Sequence, residues 1–497
     1  MKKIIFLIVI LFTFSGLQYS CSDFLEEMPT DRYVVDNFYS GQTDAEAAVT
    51  SVYQQLYSIY GRLMFLVSDL PSDDHKNGLG MPNQFLQNLE YLRHTTENTF
   101  IRQMWQHNYS GIARANTAIA NIPRITMDEN SKTWLISEAR FLRGLFYFNL
   151  VRFFGDVPLI TNLETIEDAY TPRTPKAEVY QQIIDDLTFA GNNLPVTWPS
   201  SGVGRVSRGA AKILLGKVYL TMHEFQNSVS ILGEVISNES TYGYGLQDDY
   251  KANWVPETKY GNENVFSVVY TGPPGAGNGA MQLQGPKYSI PNSFEPLGLA
   301  NSNEADIPTM DLYTQFSDED QRKAATFRTE FISLIDGSVH VSSIPIFVKY
   351  WQENLRIPTL SAVDIFVLRY SDALLMYAEA LNETGQTGNA HIHLNRVRER
   401  AFNSSDFNYS GLSQQDFREA VWQERRLEFA IEGHRWLDLV RTGRFVQRMI
   451  DHSILEAQLA ETNKVELGQN VGEHMILMPI PQREIDINSA LVQNPGW

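Results

Sequence analysis

Cysteine is almost absent from this sequence, since Cys21 is the only one among its 497 residues. A single thiol excludes an intramolecular disulfide and a cysteine-based metal cluster. The fold must therefore be stabilised by packing alone, and a chain of this length can bury a core large enough to do so.

Positive charge is also scarce. The sequence has 40 lysine and arginine residues against 58 aspartate and glutamate residues, which gives a formal net charge of −18. A strongly acidic surface repels phosphate groups. We therefore predict that nucleic acid is not a partner.

Familiar catalytic and metal-binding patterns are missing as well, including H-E-x-x-H and G-x-S-x-G. His391 and His393 are two positions apart, so on a helix they point about 200° apart and cannot share a metal ion. The glycine-rich stretch Gly272–Gly279 has no predicted helix after it to hold a phosphate. Asp318–Asp320 lacks the glycine and the terminal glutamate of a calcium loop. These absences predict no catalytic residue, no metal site and no cofactor.

The N-terminus has the features of an export signal. Lys2 and Lys3 precede the apolar run Ile4–Phe14, which is shorter than the ~20 residues of a membrane-spanning helix. Cys21 follows a few small and polar residues, so residues 1–20 resemble a bacterial lipoprotein signal peptide that is removed before the cysteine is acylated. The alternative is an ordinary signal peptide followed by an unrelated cysteine. We expect residues 21–40 to form a polar tether, with the lipid as the only membrane contact.

Apolar residues recur at helical spacing through most of the N-terminal half. The pattern predicts helices at 44–60, 100–121, 134–154, 176–192, 208–222 and 225–237. Gly155 and Pro158 should end the third of these, because neither residue continues a helix. The tryptophans inside predicted helices, Trp105, Trp134 and Trp436, should lie in the core.

A repeat of the tetratricopeptide type is visible twice. Leu215, Gly216 and Tyr219 fit the L-G-x-x-Y pattern of its first helix, and small or apolar residues follow at the spacing of the second. The same spacing recurs from Tyr377 and Ala378. Such helix pairs bury their apolar faces only by stacking on neighbours. Two unrelated helical hairpins are the alternative.

Two stretches lack helical periodicity. Residues 240–365 are rich in glycine, proline, asparagine and serine, with strand-like patches only at Val265–Tyr270 and Ser343–Val348. A second loop-like stretch is Asp69–Met81. Loops on a rigid scaffold often carry binding residues.

The segment from Glu424 to Phe445 mixes charge with aromatic residues. Glu424, Glu428 and Glu432 are spaced to share one helical stripe, and like charges at this spacing repel unless cations intervene. We expect a structural network in which the cations are Arg425, Arg435 and Arg441. A ligand or catalytic cluster is the alternative.

Several segments together resemble the SusD/RagB family of Bacteroidetes. The strongest are residues 141–159 (FLRGLFYFNLVRFFGDVPL), the charged segment that begins at Glu424 (ERRLEFAIEGHRWLDL), and the tail at 477–497 (LMPIPQREIDINSALVQNPGW). The resemblance covers nearly all of the mature chain. It implies a mainly α fold, a superhelix of tetratricopeptide-like helix pairs with a loop-rich ligand face and few short strands. Residues 41–497 would be a single SusD-like domain, with an N-terminal part at 41–240 and a C-terminal part at 241–497.

The resemblance also implies a function. The protein would be a lipid-anchored binding protein on the outer membrane, exposed at the cell surface. It would bind an oligosaccharide or another oligomeric nutrient without cleaving it, and deliver it to a SusC-like TonB-dependent transporter. A secreted glycan-degrading enzyme and a helical-repeat scaffold of the envelope remain alternatives.

Sugar rings stack on aromatic faces, while polar groups bond their hydroxyls. Aromatic residues in loops are therefore better candidates for ligand contact than those in helices. The sequence-based candidates are four aromatic residues with two polar neighbours: Tyr91, Tyr288, Phe294 and Trp351, together with Asp73 and Asn83.

Overall fold

A computed structural model of the protein describes residues 39–497 except for 79–82, 163–166, 200–201, 288, 291–296, 301 and 460–464. Most of the described chain is helical. In chain order the helices are α1 Gln42–Ser58, α2 Gln84–Glu90, α3 Thr99–Asn121, α4 Glu129–Phe154, α5 Lys176–Asn193, α6 Arg208–Thr221, α7 Phe225–Ser237, α8 Glu239–Tyr242, α9 Ala280–Gln284, α10 Met310–Tyr313, α11 Gln321–Thr326, α12 Tyr370–Glu383, α13 Thr387–Phe402, α14 Gln414–Glu428, α15 Arg435–Arg441, α16 Phe445–Leu459, α17 Val465–Asn470 and α18 Gln482–Ile487.

The strands are short and pair only in twos. They are β1 His75–Lys76, β2 Asn264–Val268, β3 Ile307–Pro308, β4 Phe327–Ile332, β5 Val339–Phe347 and β6 Ile365–Arg369. Antiparallel pairs form between β1 and β3, between β2 and β6, and between β4 and β5. The predicted strand Val265–Tyr270 corresponds to β2, and Ser343–Val348 corresponds to the second half of β5.

The six helices predicted for the N-terminal half are all present, as α1 and α3–α7. The start of α4 lies before the predicted residue 134, because Asp128 caps the helix by accepting a hydrogen bond from the Ser131 amide at 2.8 Å. Helix α4 ends at Phe154 as predicted, since Gly155 adopts a φ of 72° that favours glycine. After α1 the chain continues in wide helical turns to Asp69, so the predicted loop starts where these turns end.

The two predicted repeat units are stacked helix pairs. In the first pair, α6 approaches α7 so closely that a Cβ on Gly216 would lie 2.5 Å from the Leu232 side chain. The second pair is α12 and α13, where Ala378 is fully buried. Helix α7 packs on α12, with Gly233 facing the ring of Tyr377. This stack confirms the mainly helical fold with tetratricopeptide-like pairs.

The largest buried apolar cluster runs through the helices and contains residues from Val52 to Leu491. Trp105 and Trp436 are buried in it as predicted, whereas Trp134 is half-buried and meets Trp198 edge to face. No helix in the described ranges is long and apolar enough to cross a membrane. The division into parts at residue 240 stays a prediction.

One element after the glycine-rich stretch was not predicted. Helix α9 begins directly after Gly279, where no helix was predicted. Its Met281 and Leu283 are buried in two different apolar clusters. Because these contacts are long-range, local periodicity does not report them.

Candidate functional site

Much of the irregular chain is joined on one part of the molecule, which we call the loop face and define as the described residues of 70–98 and 255–361 together with Tyr57, which bonds to Val269. Its two chain segments meet at the β1–β3 pair, where His75 lies opposite Pro308. The Nδ1 atom of His75 is 2.6 Å from a carboxylate oxygen of Asp306. Burial alone would lower the pKa of His75, but Asp306, Asp69 and Asp74 raise it to about 9. A buried, charged imidazole therefore joins the two segments.

Glu304 organises the centre of the loop face. It is buried and has a φ of 46°, which non-glycine residues seldom adopt. One carboxylate oxygen, Oε2, accepts hydrogen bonds from the Lys287 amide at 2.6 Å, the Ser289 amide at 3.0 Å and the Ser289 hydroxyl at 2.9 Å. Glu304 thus fixes the chain on both sides of position 288.

Trp351 belongs to a small core of the loop face that is separate from the main one. The buried members are Met281, Ile290, Leu297, Leu299, Ile307, Phe331, Ile346, Val348 and Trp351. The indole of Trp351 is 9% exposed and packs 5.3 Å from the ring of Phe331. Its Nε1 donates to Glu353 at 3.2 Å, and Arg328 lies 5.8 Å from the ring centre. Only an edge of this candidate reaches the surface.

Asn83 and Tyr91 lie at the two ends of α2. The Oδ1 atom of Asn83 accepts from the Phe85 amide at 2.9 Å, so this side chain caps the helix. Tyr91 follows the last residue of α2 and is half-buried, with Arg93 4.9 Å from its ring centre. Tyr91 packs on the main core and Trp351 on the small one, so the structure does not bring these two candidates into one cluster.

Asp73 has no exposed surface. Arg435 donates to it at 2.7 Å and Arg448 at 2.5 Å, and Arg426 lies 3.1 Å away. Burial alone would raise the pKa of Asp73, but these arginines hold it well below its usual value. This placement argues against the sequence-based assignment of Asp73 as a ligand contact, because its carboxylate is already paired. The residue instead anchors the segment that leads to Asn83.

Tyr288 and Phe294 lie outside the described residues, so their placement stays a prediction. Ile290 and Leu297, which flank Phe294, both belong to the small core around Trp351.

Two exposed tyrosines were missed by the sequence reasoning. Tyr57 is 39% exposed and Tyr260 is 50% exposed. Tyr57 donates its hydroxyl hydrogen to the Val269 carbonyl at 2.7 Å and meets Tyr270 edge to face at 5.1 Å. Burial and the nearby Asp364 raise the pKa of Tyr260 to about 12, so the phenol stays protonated. Tyr57 ends a long helix, so the assumption that helical aromatics lie in the core removed it from consideration.

These tyrosines adjoin the rest of the loop face through short contacts. Lys259, next to Tyr260, donates to the Ala362 carbonyl at 3.0 Å. The Ala362 amide in turn donates to Gln352 at 2.7 Å, beside Trp351. The aromatic surface at Tyr57 and Tyr260 is therefore connected to the core around Trp351 through the hydrogen bonds of Lys259, Ala362 and Gln352.

The three glutamates of the charged segment are buried and paired, as the structural interpretation predicted. Glu424 pairs with Arg322 and Arg398. Glu428 and Glu432 complete the network through contacts with four cations, of which Arg369 binds both: Arg322, Arg369 and Arg400 for Glu428, and Lys349 and Arg369 for Glu432.

The predicted cations for this network were wrong. Arg425 pairs with Asp372 and Asp438, Arg435 with Asp73, and Arg441 with Glu379. Residues next to each other on a helix point about 100° apart, so Arg425 faces away from the Glu424 stripe. Glu432 lies beyond the end of α14, and the partners of all three glutamates come from distant parts of the chain.

Comparison with known proteins places these features in context. Residues 346–497 match a family model described as the SusD family, and residues 23–220 match one described as starch-binding, associating with the outer membrane. SusD-like protein P2 of Formosa agariphila is 29% identical over 100% of both chains. SusD-like protein P25 of the same organism is 28% identical over 96% of this chain and 95% of its own.

Solved structures show the same likeness. A laminarin-binding SusD-like protein is 28% identical, with a TM-score of 0.76 over 92% of this chain and 100% of its own. A SusD homologue from Bacteroides thetaiotaomicron is 26% identical, with a TM-score of 0.78 over 94% of this chain and 99% of its own. Both likenesses extend over more than nine-tenths of this chain.

Proposed function

This chain belongs to the SusD/RagB family, and from that premise we propose that it is a non-catalytic, lipid-anchored protein of the cell surface that binds a glycan on its loop face and delivers it to a SusC-like TonB-dependent transporter. The observation that carries the proposal is the loop face itself. A rigid helical stack supports irregular segments that expose aromatic rings beside polar groups. Such surfaces suit sugar rings, which stack on aromatic faces while their hydroxyls bond to polar neighbours.

The proposed contact residues are Tyr57 and Tyr260 together with the sequence-based candidates Asn83, Tyr91, Tyr288, Phe294 and Trp351. Tyr57 and Tyr260 have the most exposed rings among those that the structure describes on this face. Trp351 contributes mainly by supporting the surface, since it is 9% exposed. Asp73 contributes to this surface only indirectly, because its ion pairs with Arg426, Arg435 and Arg448 anchor the segment that leads to Asn83.

Affinity electrophoresis in gels that contain laminarin or starch tests the ligand class, because similar proteins and a matching family model carry those names. We expect one of these or a related glycan to retard the protein. Replacing Tyr260 by alanine should weaken retention about fivefold, since a stacked ring is worth roughly 1 kcal/mol. The control is Tyr170→Ala, which removes a tyrosine that is 49% exposed but lies outside the loop face.

Unchanged retention of both Tyr57→Ala and Tyr260→Ala would contradict the assigned surface. The same preparations test the absence of catalysis. Release of new reducing ends from the bound glycan would show a hydrolase and overturn the binding-protein proposal.

Delivery and anchoring need separate tests in cells. Solubilised membranes should yield a transporter together with the protein, held by an interface on the order of 2,000 Å² or more. Cys21→Ser should abolish lipid labelling and release the protein from the membrane fraction. Residues 1–38 lie outside the described chain, so Cys21 rests on the sequence pattern alone.

A further inference from the structure

A large cavity lies inside the helical scaffold, apart from the loop face. Its volume is about 810 Å³, and α4, α5, α6 and α15 contribute most of its walls together with the C-terminal tail. None of its lining residues belongs to 70–98 or 255–361. Lys176 and Ala177 line the cavity and are exposed, so they mark a route from solvent.

The walls of the cavity are largely apolar. Buried side chains from several helices line it, namely Met64, Leu145, Phe148, Leu214, Met376 and Leu437. A volume of this size is typical of pockets that hold small organic molecules, and such pockets combine apolar walls with a few polar groups.

Arg152 supplies the main polar group. Its Nε donates to the Phe148 carbonyl at 3.1 Å, one terminal nitrogen donates to Asn149 at 2.8 Å, and its guanidinium carbon lies 3.9 Å from the centre of the Phe148 ring. Among the described residues no carboxylate comes within 4.0 Å of it, in contrast to Arg425 across the cavity. Arg152 therefore carries a buried positive charge without an ion-pair partner in the described chain, since Asp438 and Asp372 act on it only at longer range.

Two neutral hydrogen-bonding groups also line the cavity. The ring of His434 stacks 4.8 Å from Phe429, and its nitrogens have no hydrogen-bond partner in the described chain. Burial and the charge of Lys217 hold the pKa of His434 well below its ordinary value, so the imidazole is neutral. Burial raises the pKa of Tyr180 to about 12, so its hydroxyl keeps its proton. Both groups can donate to an anion.

The charge balance of the lining is opposite to that of the whole chain. Six cationic side chains line the cavity against three carboxylates, whereas the chain as a whole carries a net charge of −18. Arg152, Arg173 and Lys176 make no ion pair with any carboxylate of the described chain. Arg173 instead donates to backbone carbonyls and to Asn494.

From this combination we propose that the cavity binds an amphipathic monocarboxylic acid, with its carboxylate at Arg152 and His434 and its hydrocarbon body against Leu214 and Leu437. The carboxylate balances the charge of Arg152, and transfer of the hydrocarbon body from water to the apolar walls supplies the rest of the affinity. Binding here does not depend on the glycan proposal, because the two surfaces share no residue.

Isothermal titration calorimetry of the mature protein with decanoate, decanol and acetate tests whether binding needs both the carboxylate and the hydrocarbon chain. We expect decanoate to bind at one site, and decanol and acetate to bind at least tenfold more weakly, because each lacks one of the two interactions. Arg152→Gln should weaken decanoate binding by at least tenfold, because a hydrogen bond to a charged group contributes at least the free energy that corresponds to a tenfold change in affinity. The matched control is Arg124→Gln, which removes an exposed arginine outside the cavity.

A second variant covers the case in which Arg152→Gln disturbs folding. Ala177→Trp places a bulky ring at the exposed edge of the cavity without removing a buried group, and it should also reduce decanoate binding. Equal affinity for decanol and decanoate, or full affinity in both variants, would overturn the proposal. Glycan retention by Arg152→Gln should match that of the parent protein, so failure of this site is distinguishable from failure of the loop face.

Discussion

The helical scaffold and the loop face differ in how far along the chain the contacts that stabilise them reach. In the scaffold, helices that follow each other in sequence pack through apolar and small residues, as α6 and α7 do around Gly216. The loop face is anchored by buried ion pairs between residues far apart in sequence. His75 and Asp306 are 231 positions apart, and Asp74 and Arg426 are 352 positions apart.

This difference has an energetic consequence. An apolar contact can be weakened gradually, whereas removal of one partner from a buried ion pair leaves an uncompensated charge in a medium of low dielectric constant. Damage to the charged anchors should therefore cost more unfolding free energy than damage to the helix packing. Three substitutions test that order.

The largest effect is expected at Glu428, which binds Arg322, Arg369 and Arg400 in the interior. Glu428→Gln should lower the unfolding free energy by about 3–5 kcal/mol, because three buried guanidinium groups lose their shared carboxylate. Urea denaturation measures the loss.

Glu419 provides the control for this change. Its side chain is 50% exposed and pairs with Arg444 at 3.4 Å, so Glu419→Gln should cost no more than about 1 kcal/mol. Similar losses in the two variants would remove the special role assigned to buried charge.

An intermediate, pH-dependent effect is expected at His75, which faces Asp306, Asp69 and Asp74. Its pKa is about 9 in the folded protein against 6.5 in an unfolded chain. The resulting stabilisation is fully present below about pH 6.5 and is lost as the pH rises through about 9. The free-energy difference between the parent and His75→Gln should shrink by about 3 kcal/mol from pH 6 to pH 10.

Denaturation of both proteins across that range measures the difference, and subtraction of the variant removes the titration of distant groups. A difference that stays constant with pH would show that His75 is not charged in the folded state.

The smallest effect is expected at Gly216 in the scaffold. A Cβ there would lie 2.5 Å from Leu232, so Gly216→Ala should cost about 1–2 kcal/mol while α7 shifts or Leu232 changes rotamer. At Gly388 on α13 a Cβ meets nothing within 4 Å, so Gly388→Ala should be neutral or slightly stabilising. Thermal unfolding compares the two. A loss at Gly216 larger than that at Glu428 would reverse the proposed order.

Sequence patterns were reliable for the scaffold because its contacts are mostly local. Helical periodicity and the tetratricopeptide spacing predicted α3–α7 closely, and Gly155 marked the end of α4 correctly. The same reasoning was weaker on the loop face. It took Asp73 for a ligand contact, although arginines from α14, α15 and α16 enclose that residue. It also passed over Tyr57, because nothing in a helical pattern shows which ring lies beside an irregular segment.

The sequence by itself determined the helical stack and the burial of the Glu424–Glu432 segment, because both follow from spacing along the chain, and it indicated the family through the resemblance of several segments. Only the tertiary structure decided which cations those glutamates bind, which aromatic rings reach solvent and where the scaffold encloses a cavity. The physical reason is distance along the chain. Periodicity records neighbours within a few helical turns, whereas a buried charge takes its partner from whichever distant segment the fold brings within reach.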